Sequence, residues 1–158
     1  MRSHVLALLM ATSACGGATP PPAAPSAPAD VVAATKGIIE QWRQAYELRD
    51  VEVLSKLYAH DLDVSLTVDG TTSQGWTAVE DALKAKLARA SAIHARVKDT
   101  VVVALPPDAA STTSTLTREI SVGDGAQTET ESGTLSLVLR RTTMWTIISE
   151  HYSYRRGQ

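Results

Sequence analysis

Apolar residues recur at helical spacing over three stretches of the chain. In residues 31–48 they stand three or four positions apart, the period of an amphipathic helix, and Asp30 precedes them as the expected N-cap. A shorter stretch follows Asp50, a second expected N-cap, and the period returns over residues 77–92. The apolar positions of the three predicted helices are Val31, Ala34, Ile38, Trp42, Ala45 and Tyr46, then Val53, Leu54, Leu57 and Tyr58, then Val79, Leu83 and Leu87.

Alternating apolar and polar residues predict strands in the remainder of the domain. Residues 61–68 alternate through Leu62, Val64, Leu66 and Val68 and end at the turn signal Asp69-Gly70. Four more strands are predicted after the third helix, over residues 94–105, 111–122, 129–141 and 144–154, and Trp145 is expected to be largely buried in the last of them. Helices followed by consecutive strands predict an α+β fold, with three N-terminal helices packed on a strongly curved, mainly antiparallel β-sheet.

The N-terminus has the pattern of an export signal. A positively charged start is followed by an apolar run over residues 5–11 and by small residues around Cys15, which is typical of a secretory signal peptide. Ser13-Ala14 before Cys15 resembles the lipobox of bacterial lipoproteins, although Thr12 stands where that motif usually has Leu. The alternative is an ordinary secretory signal with an incidental cysteine.

The lipobox resemblance implies a signal peptide of residues 1–14 and a lipidated Cys15 as the first mature residue, which tethers the protein to a membrane. Gly16, rather than Asp, follows the cysteine. By resemblance to the sorting of enteric bacterial lipoproteins, this implies an anchor in the outer membrane, facing the periplasm, if the source is Gram-negative. Residues 15–30 then form a linker rich in Pro and Ala, whose composition favours an extended spacer. The folded domain is predicted to span residues 31–158.

Composition and charge exclude several classes of protein. With 15 Lys and Arg against 17 Asp and Glu, the formal net charge is −2, so a nucleic-acid partner is not predicted. One cysteine rules out an internal disulfide framework. His, Asp and Glu do not occur at metal-ligand spacing, and neither a metal nor another cofactor is predicted.

An ordered set of residues resembles the SnoaL-like and ketosteroid isomerase-like branch of the nuclear transport factor 2-like superfamily. The set consists of Trp42, Asp50, Leu57-Tyr58-Ala59-His60-Asp61, Gly75 with Ala78-Val79, and the ending Trp145-Thr146-Ile147-Ile148 followed by Glu150-His151-Tyr152-Ser153. The resemblance implies a cone-shaped fold in which a bent sheet wraps the first helix and leaves a pocket between them. Members of this superfamily include isomerases, cyclases, dehydratases and domains without catalytic activity.

Ketosteroid isomerase combines a carboxylate base with a Tyr and a neutral Asp that bind the enolate oxygen. The resemblance places the Tyr at Trp42, the base at Leu66 and the neutral Asp at Leu137. A leucine cannot accept or donate a proton, so isomerase activity is not predicted.

The resemblance directs the face of the last strand that carries Glu150 toward the pocket. The implied pocket residues are Trp42, Tyr46, Tyr58, Leu66, Leu137, Glu150 and Tyr152. Glu150 is one catalytic candidate, because a carboxyl in an apolar cone has a raised pKa; alternatively it pairs with Arg118, Arg140 or Arg141 and only stabilises the sheet. His151 is the other candidate, as a proton shuttle, or it bonds Ser153 or a backbone carbonyl and packs against a second subunit.

Three functions follow. The favoured one is a membrane-tethered domain that binds a small apolar or amphipathic molecule in its cone without turnover. The second is an enzyme of the isomerase or polyketide cyclase type that uses Glu150, Tyr152 or His151. The third is a dimerisation or envelope-assembly module, with a homodimer formed through the sheet.

Overall fold

The computed structural model describes residues 27–123 and 127–156. The predicted signal peptide, Cys15 and most of the predicted linker lie outside these residues. The described residues contain three helices: α1 (Ala29–Leu48), α2 (Val51–Leu57) and α3 (Trp76–Arg89). Asp50 caps α2 as predicted, because its carboxylate accepts a hydrogen bond from the Val53 N–H at 3.0 Å. Asp30 is not an N-cap: α1 begins one residue earlier, at Ala29, so Asp30 lies within the first turn.

The strands form a single sheet of six in the described part of the chain, in the order β2-β1-β6-β5-β4-β3. All neighbours are antiparallel except β1 and β6, which run parallel. The strands are β1 (Ser65–Val68), β2 (Thr71–Gln74), β3 (Ala90–Leu105), β4 (Ala109–Val122), β5 (Gln127–Arg141) and β6 (Trp145–Arg156). The predicted α+β class and the mainly antiparallel, curved sheet under three helices are confirmed.

Sequence reasoning missed the hairpin formed by β1 and β2. The sequence of β2, Thr-Thr-Ser-Gln, has no apolar residue and therefore no alternation to recognise. The turn before it is the predicted Asp69-Gly70, whose backbones adopt positive φ angles of 48° and 81°. The first predicted strand is also shorter than expected: it begins at Ser65, and Leu62 lies outside it with 86% of its surface exposed.

A β-bulge in β6 changes which side chains enter the interior. Val138 of β5 pairs with Ser149, but the next residue, Leu139, pairs with Ile147, so Ile148 is an extra residue in β6. The side chains of Ile147 and Glu150 are consequently both buried although they are three positions apart. Strict alternation predicts Ile147 on the outer face; that prediction is wrong because the bulge shifts the phase of the strand.

The core lies between the concave side of the sheet and the helices, with α1 packed across β3, β4 and β6. Trp145 does not belong to its centre. Its side chain is half-buried at the end of β6, where the Arg141 guanidinium lies 5.4 Å from its ring. Trp145 therefore packs against the core from its edge, beside the exposed residues 142–144, and its burial is partial.

Gly133 is required where β5 and β6 approach closely. A Cβ placed on Gly133 would lie 2.6 Å from the Tyr154 Cα and closer still to the Ser153 carbonyl oxygen. These neighbours are backbone atoms, which cannot rotate away as a side chain can. By contrast, a Cβ on Gly37 of α1 would meet nothing within 4 Å.

We expect Gly133→Ala to lower the free energy of unfolding by at least about 1–3 kcal/mol, the usual result of overpacking. Gly37→Ala is the matched control and should raise it by about 0.5–1 kcal/mol, since Ala is the better helix former. Urea denaturation of both variants measures the difference. Equal stabilities of the two variants would contradict the close approach of β5 and β6.

Candidate functional site

A carboxyl group lies at the centre of the interior. Glu150 of β6 has 1% of its surface exposed. Its Oε2 accepts a hydrogen bond from the Trp42 indole N–H at 2.9 Å and another from the Tyr58 hydroxyl. The indole nitrogen also lies 3.1 Å from the Tyr58 hydroxyl oxygen. Three groups from separate parts of the chain therefore meet at one oxygen atom.

Local structure places each of these groups. Trp42 lies in the middle of α1 on the buried face that also carries Tyr46, one turn later. Tyr58 follows the last residue of α2 and forms a backbone bridge with Ile147, just before the bulge in β6. The N–H of the next residue, Ala59, donates to the Ile147 carbonyl at 2.9 Å, which fixes the start of the loop.

Leu66 and Leu137 stand on either side of Glu150. Leu66 of β1 and Leu137 of β5 are both direct register partners of Glu150, and both are buried. The carboxyl is thus surrounded by hydrocarbon along the sheet and bonded only toward the helices. Burial raises the pKa of Glu150, and the hydrogen bond from Tyr58, the charge of Arg118 and the hydrogen bond from Trp42 oppose this rise in part.

The two tyrosines near Glu150 are held in their neutral form. Burial, followed by the negative charge of Glu150, raises the pKa of both Tyr46 and Tyr58 well above the usual value of 10.0. A neutral Tyr58 is a hydrogen-bond donor, which is consistent with its contact to Glu150. The Tyr46 ring packs beside Trp42, with 4.3 Å between the ring centroids.

A second polar group lies deeper along the sheet and was not predicted as a site. Arg118 of β4 and Glu131 of β5 are cross-strand partners, each 1% exposed, with 2.8 Å between Nη2 and Oε2. Lys86 of α3 lies 3.8 Å from the same carboxylate oxygen. A signal was available in the sequence: Arg118 lies two positions from Leu116 and two from Ile120, and therefore shares their inward face.

Aromatic rings connect the two groups. The Arg118 guanidinium lies 4.2 Å from the ring centroid of Tyr152 and 5.7 Å from that of Tyr46. Burial raises the pKa of Tyr152 to about 12, and its hydroxyl donates to the Leu116 carbonyl at 3.4 Å. We call the whole set the interior cluster; it comprises Trp42, Tyr46, Tyr58, Lys86, Arg118, Glu131, Glu150 and Tyr152.

The structure brings all seven predicted pocket residues together, and none exposes more than 3% of its surface. The interior is therefore closed by its own side chains. A surface cleft of about 460 Å³ lies between α2 and α3, beside Val51, Lys56 and Lys84, and its lining contains none of these seven residues.

The structure shows where the two catalytic candidates stand relative to the interior cluster. Glu150 does not pair with an arginine of the sheet, because Arg118 pairs with Glu131, Arg140 with Asp61 and Arg141 with Asp108. His151 is exposed and, next to Glu150 on β6, points away from the interior cluster. The homodimer through that outer face stays a prediction, and Cys15 lies outside the described residues.

Within residues 27–123 and 127–156, no group of three or more His, Cys, Asp or Glu side chains is placed to hold a metal ion. None of the described helices is both long enough and apolar enough to cross a membrane.

Comparison with known proteins places this geometry in a family. Residues 36–156 match the model of the SnoaL-like domain. No curated protein matches the sequence.

Several solved structures share the fold at low identity. A nuclear transport factor 2-like superfamily protein from Salmonella enterica is 16% identical, with a TM-score of 0.74 over 82% of this chain and 94% of its own. A proposed dehydratase of the same superfamily from Streptomyces avermitilis is 21% identical, with a TM-score of 0.73 over 81% and 99%. A hexachlorocyclohexane dehydrochlorinase is 12% identical, with a TM-score of 0.71 over 80% and 86%. At such identities the likeness shows the fold alone.

The raised pKa of Glu150 predicts how stability depends on pH. A carboxyl whose pKa is higher in the folded than in the unfolded state contributes its full stabilisation below the usual value of 4.5. That contribution is lost as the pH rises through the folded-state pKa. We therefore expect Glu150→Gln to gain stability relative to the wild type as the pH rises from about 4.5 toward 8.

Thermal or urea denaturation at a series of pH values measures this difference. Glu119→Gln is the matched control, because Glu119 is an exposed carboxyl on β4. A difference between wild type and Glu150→Gln that is constant with pH would contradict a raised pKa at Glu150.

Proposed function

The chain belongs to the SnoaL-like domain family, and on that basis we propose that it binds a small amphipathic molecule inside its cone without converting it. The observation that carries this proposal is the convergence of Trp42 and Tyr58 on the buried Glu150. These groups supply both donors and an acceptor within apolar walls, which is the usual composition of a small-molecule site.

The energetic cost of the interior cluster supports a role beyond stability. Replacing a buried ion pair by well-packed apolar residues is often neutral, or stabilises a protein by about 1–4 kcal/mol. A core that only had to be stable would therefore gain little from Arg118, Glu131 and Glu150 together. Polar groups kept in a core against this tendency are typical of functional sites.

Binding requires the closed interior to open. Trp42, Tyr46 and Tyr152 fill the space between α1 and the sheet, so a ligand must displace at least one of these rings. If the protein is open for only part of the time, its apparent affinity for the ligand is the affinity of the open state multiplied by the fraction of molecules that are open. The ligand then stabilises this open state in proportion to its concentration.

The residues beside Glu150 favour binding without turnover. Leu66 and Leu137 occupy its two register positions, so no second carboxyl stands next to it on the sheet. A single general base contributes only about 10²–10⁴-fold to a rate. Both tyrosines nearby are neutral donors and cannot act as a second base at neutral pH.

One observation favours an enzyme as the second candidate. Glu150 has a raised pKa and a hydroxyl donor in contact, which are the properties of a general acid or base. Such an enzyme would move a proton on a small molecule. His151 has no part in this candidate, because it faces away from the cluster.

A ligand screen followed by product analysis separates the two functions. We expect apolar and amphipathic molecules that bind to raise the melting temperature and to change the tryptophan fluorescence of the protein, with the incubated molecules recovered unchanged. Product formation that is lost in Glu150→Gln and kept in the control Glu119→Gln would contradict the non-catalytic function and establish the enzyme.

We also propose that the protein is exported and anchored through a lipidated Cys15, as the residues before it indicate. The composition of residues 15–30, rich in Pro and Ala, supports this, because it favours an extended spacer between such an anchor and the domain that begins with α1 at Ala29.

We expect the wild-type protein in the membrane fraction of the cells that express it. Cys15→Ala should leave that fraction or remain an unprocessed precursor, whereas Ser26→Ala in the linker should behave as the wild type does. Identical fractionation and processing of wild type and Cys15→Ala would contradict lipidation.

A further inference from the structure

The Arg118 guanidinium is buried with part of its hydrogen-bonding capacity unused. Its Nε and Nη2 atoms have no hydrogen-bond partner among the described residues, and neither has Oε2 of Glu131. Nη2 and Oε2 are nevertheless only 2.8 Å apart. The two groups therefore attract each other as charges without the alignment that a hydrogen bond requires. Buried donors left in this state are costly.

Aromatic packing fixes the plane of this guanidinium. The Tyr152 ring lies 4.2 Å from the guanidinium carbon, and the Tyr46 ring lies 5.7 Å from it. A guanidinium held in one plane presents its N–H groups as a rigid fork. This fork matches the two oxygens of a carboxylate, with which it forms paired hydrogen bonds.

The charges around Arg118 favour one additional negative charge. Lys86 and Arg118 are two cations, and Glu131 is the one carboxylate within ion-pair distance of them among the described residues. Within ion-pair distance these two cations therefore outnumber the carboxylates by one, and a monocarboxylate would supply one matching negative charge.

Lys86 lies at the boundary of the interior. Its side chain is 17% exposed, against 1% for both Arg118 and Glu131. Its amine is 3.8 Å from the Glu131 oxygen that faces Arg118. A Glu131 carboxylate displaced from Arg118 would therefore keep a cationic partner on its outer side.

From this arrangement we propose that Arg118 binds the carboxylate of a small amphipathic acid. In the absence of the acid, the carboxylate of Glu131 occupies the position of the acid's carboxylate beside Arg118. When the acid enters, Lys86 retains Glu131. The apolar part of the acid then lies against Tyr46, Tyr152 and the neighbouring leucines. This inference rests on the proposed binding function and specifies its ligand class.

Acids and their neutral amides of the same shape test the proposal. The probes are benzoate with benzamide and hexanoate with hexanamide, titrated into the wild-type protein by calorimetry at neutral pH. We expect each acid to bind at least about tenfold more tightly than its amide, the size of a hydrogen-bonded charge contact. Glu131→Gln removes the competing carboxylate and should tighten binding of the acids further.

Two further variants keep the test informative even if a single substitution at Arg118 prevents folding. Arg118→Met alone leaves the buried Glu131 with only Lys86 as a cation, at 3.8 Å. The informative variant is therefore the double substitution Arg118→Met with Glu131→Met, which replaces the pair by apolar groups. It should bind acid and amide equally. Arg140→Met, which breaks the partly exposed pair with Asp61, is the matched control and should keep the wild-type preference for the acid.

Three results would overturn the inference. If the wild type bound acid and amide equally, the contact between Arg118 and the carboxylate would be refuted, but the proposed binding function would not. A preference for the acid that persists in the double variant would place the anion elsewhere. Failure of every acid to bind both wild type and Glu131→Gln would also overturn it, and the screen of neutral molecules would then decide the proposed function separately.

Discussion

The hydrogen bonds that converge on Glu150 connect parts of the protein that the sheet alone does not hold together. Trp42 belongs to the first helix, Tyr58 to the end of the second, and Glu150 to the last strand. The backbone bridge between Tyr58 and Ile147 adds a further link at the same level. Because these groups are buried, each must find its partner inside the protein, and the position of α1 over the sheet follows from that requirement.

The need of these buried polar groups for partners inside the protein also explains why the interior is polar at its centre and apolar along its strands. Leu66 and Leu137 exclude water from the carboxyl on both sides, so its bonds to the helices are strengthened by a low local dielectric. Arg118 and Glu131 form the second centre by direct cross-strand pairing. The aromatic rings of Tyr46 and Tyr152 separate the two centres while remaining in contact with the guanidinium between them.

Much of this architecture could be predicted from the sequence, because helical and strand periodicities reflect burial directly. The three helices, the long strands, the cap at Asp50 and the interior position of Glu150 are examples. The hairpin strand β2 could not be recognised, since its polar residues pair only through the backbone. Glu131 and Lys86 could not be recognised for a different reason: the register of the strands decides which acid faces Arg118, and the sequence alone does not give that register.

The bulge at Ile148 has a consequence for how this chain is compared with its relatives. One extra residue lets both Ile147 and Glu150 enter the interior. Consider a relative that has the same tryptophan at the start of its last strand but no bulge. In that relative, every second residue counted from the tryptophan would point inward. Site assignments carried along this strand by counting would then be displaced by one residue, and an outward side chain would be taken for the central one. Structural superposition of the strands, and not the spacing of the motif, identifies the residue equivalent to Glu150.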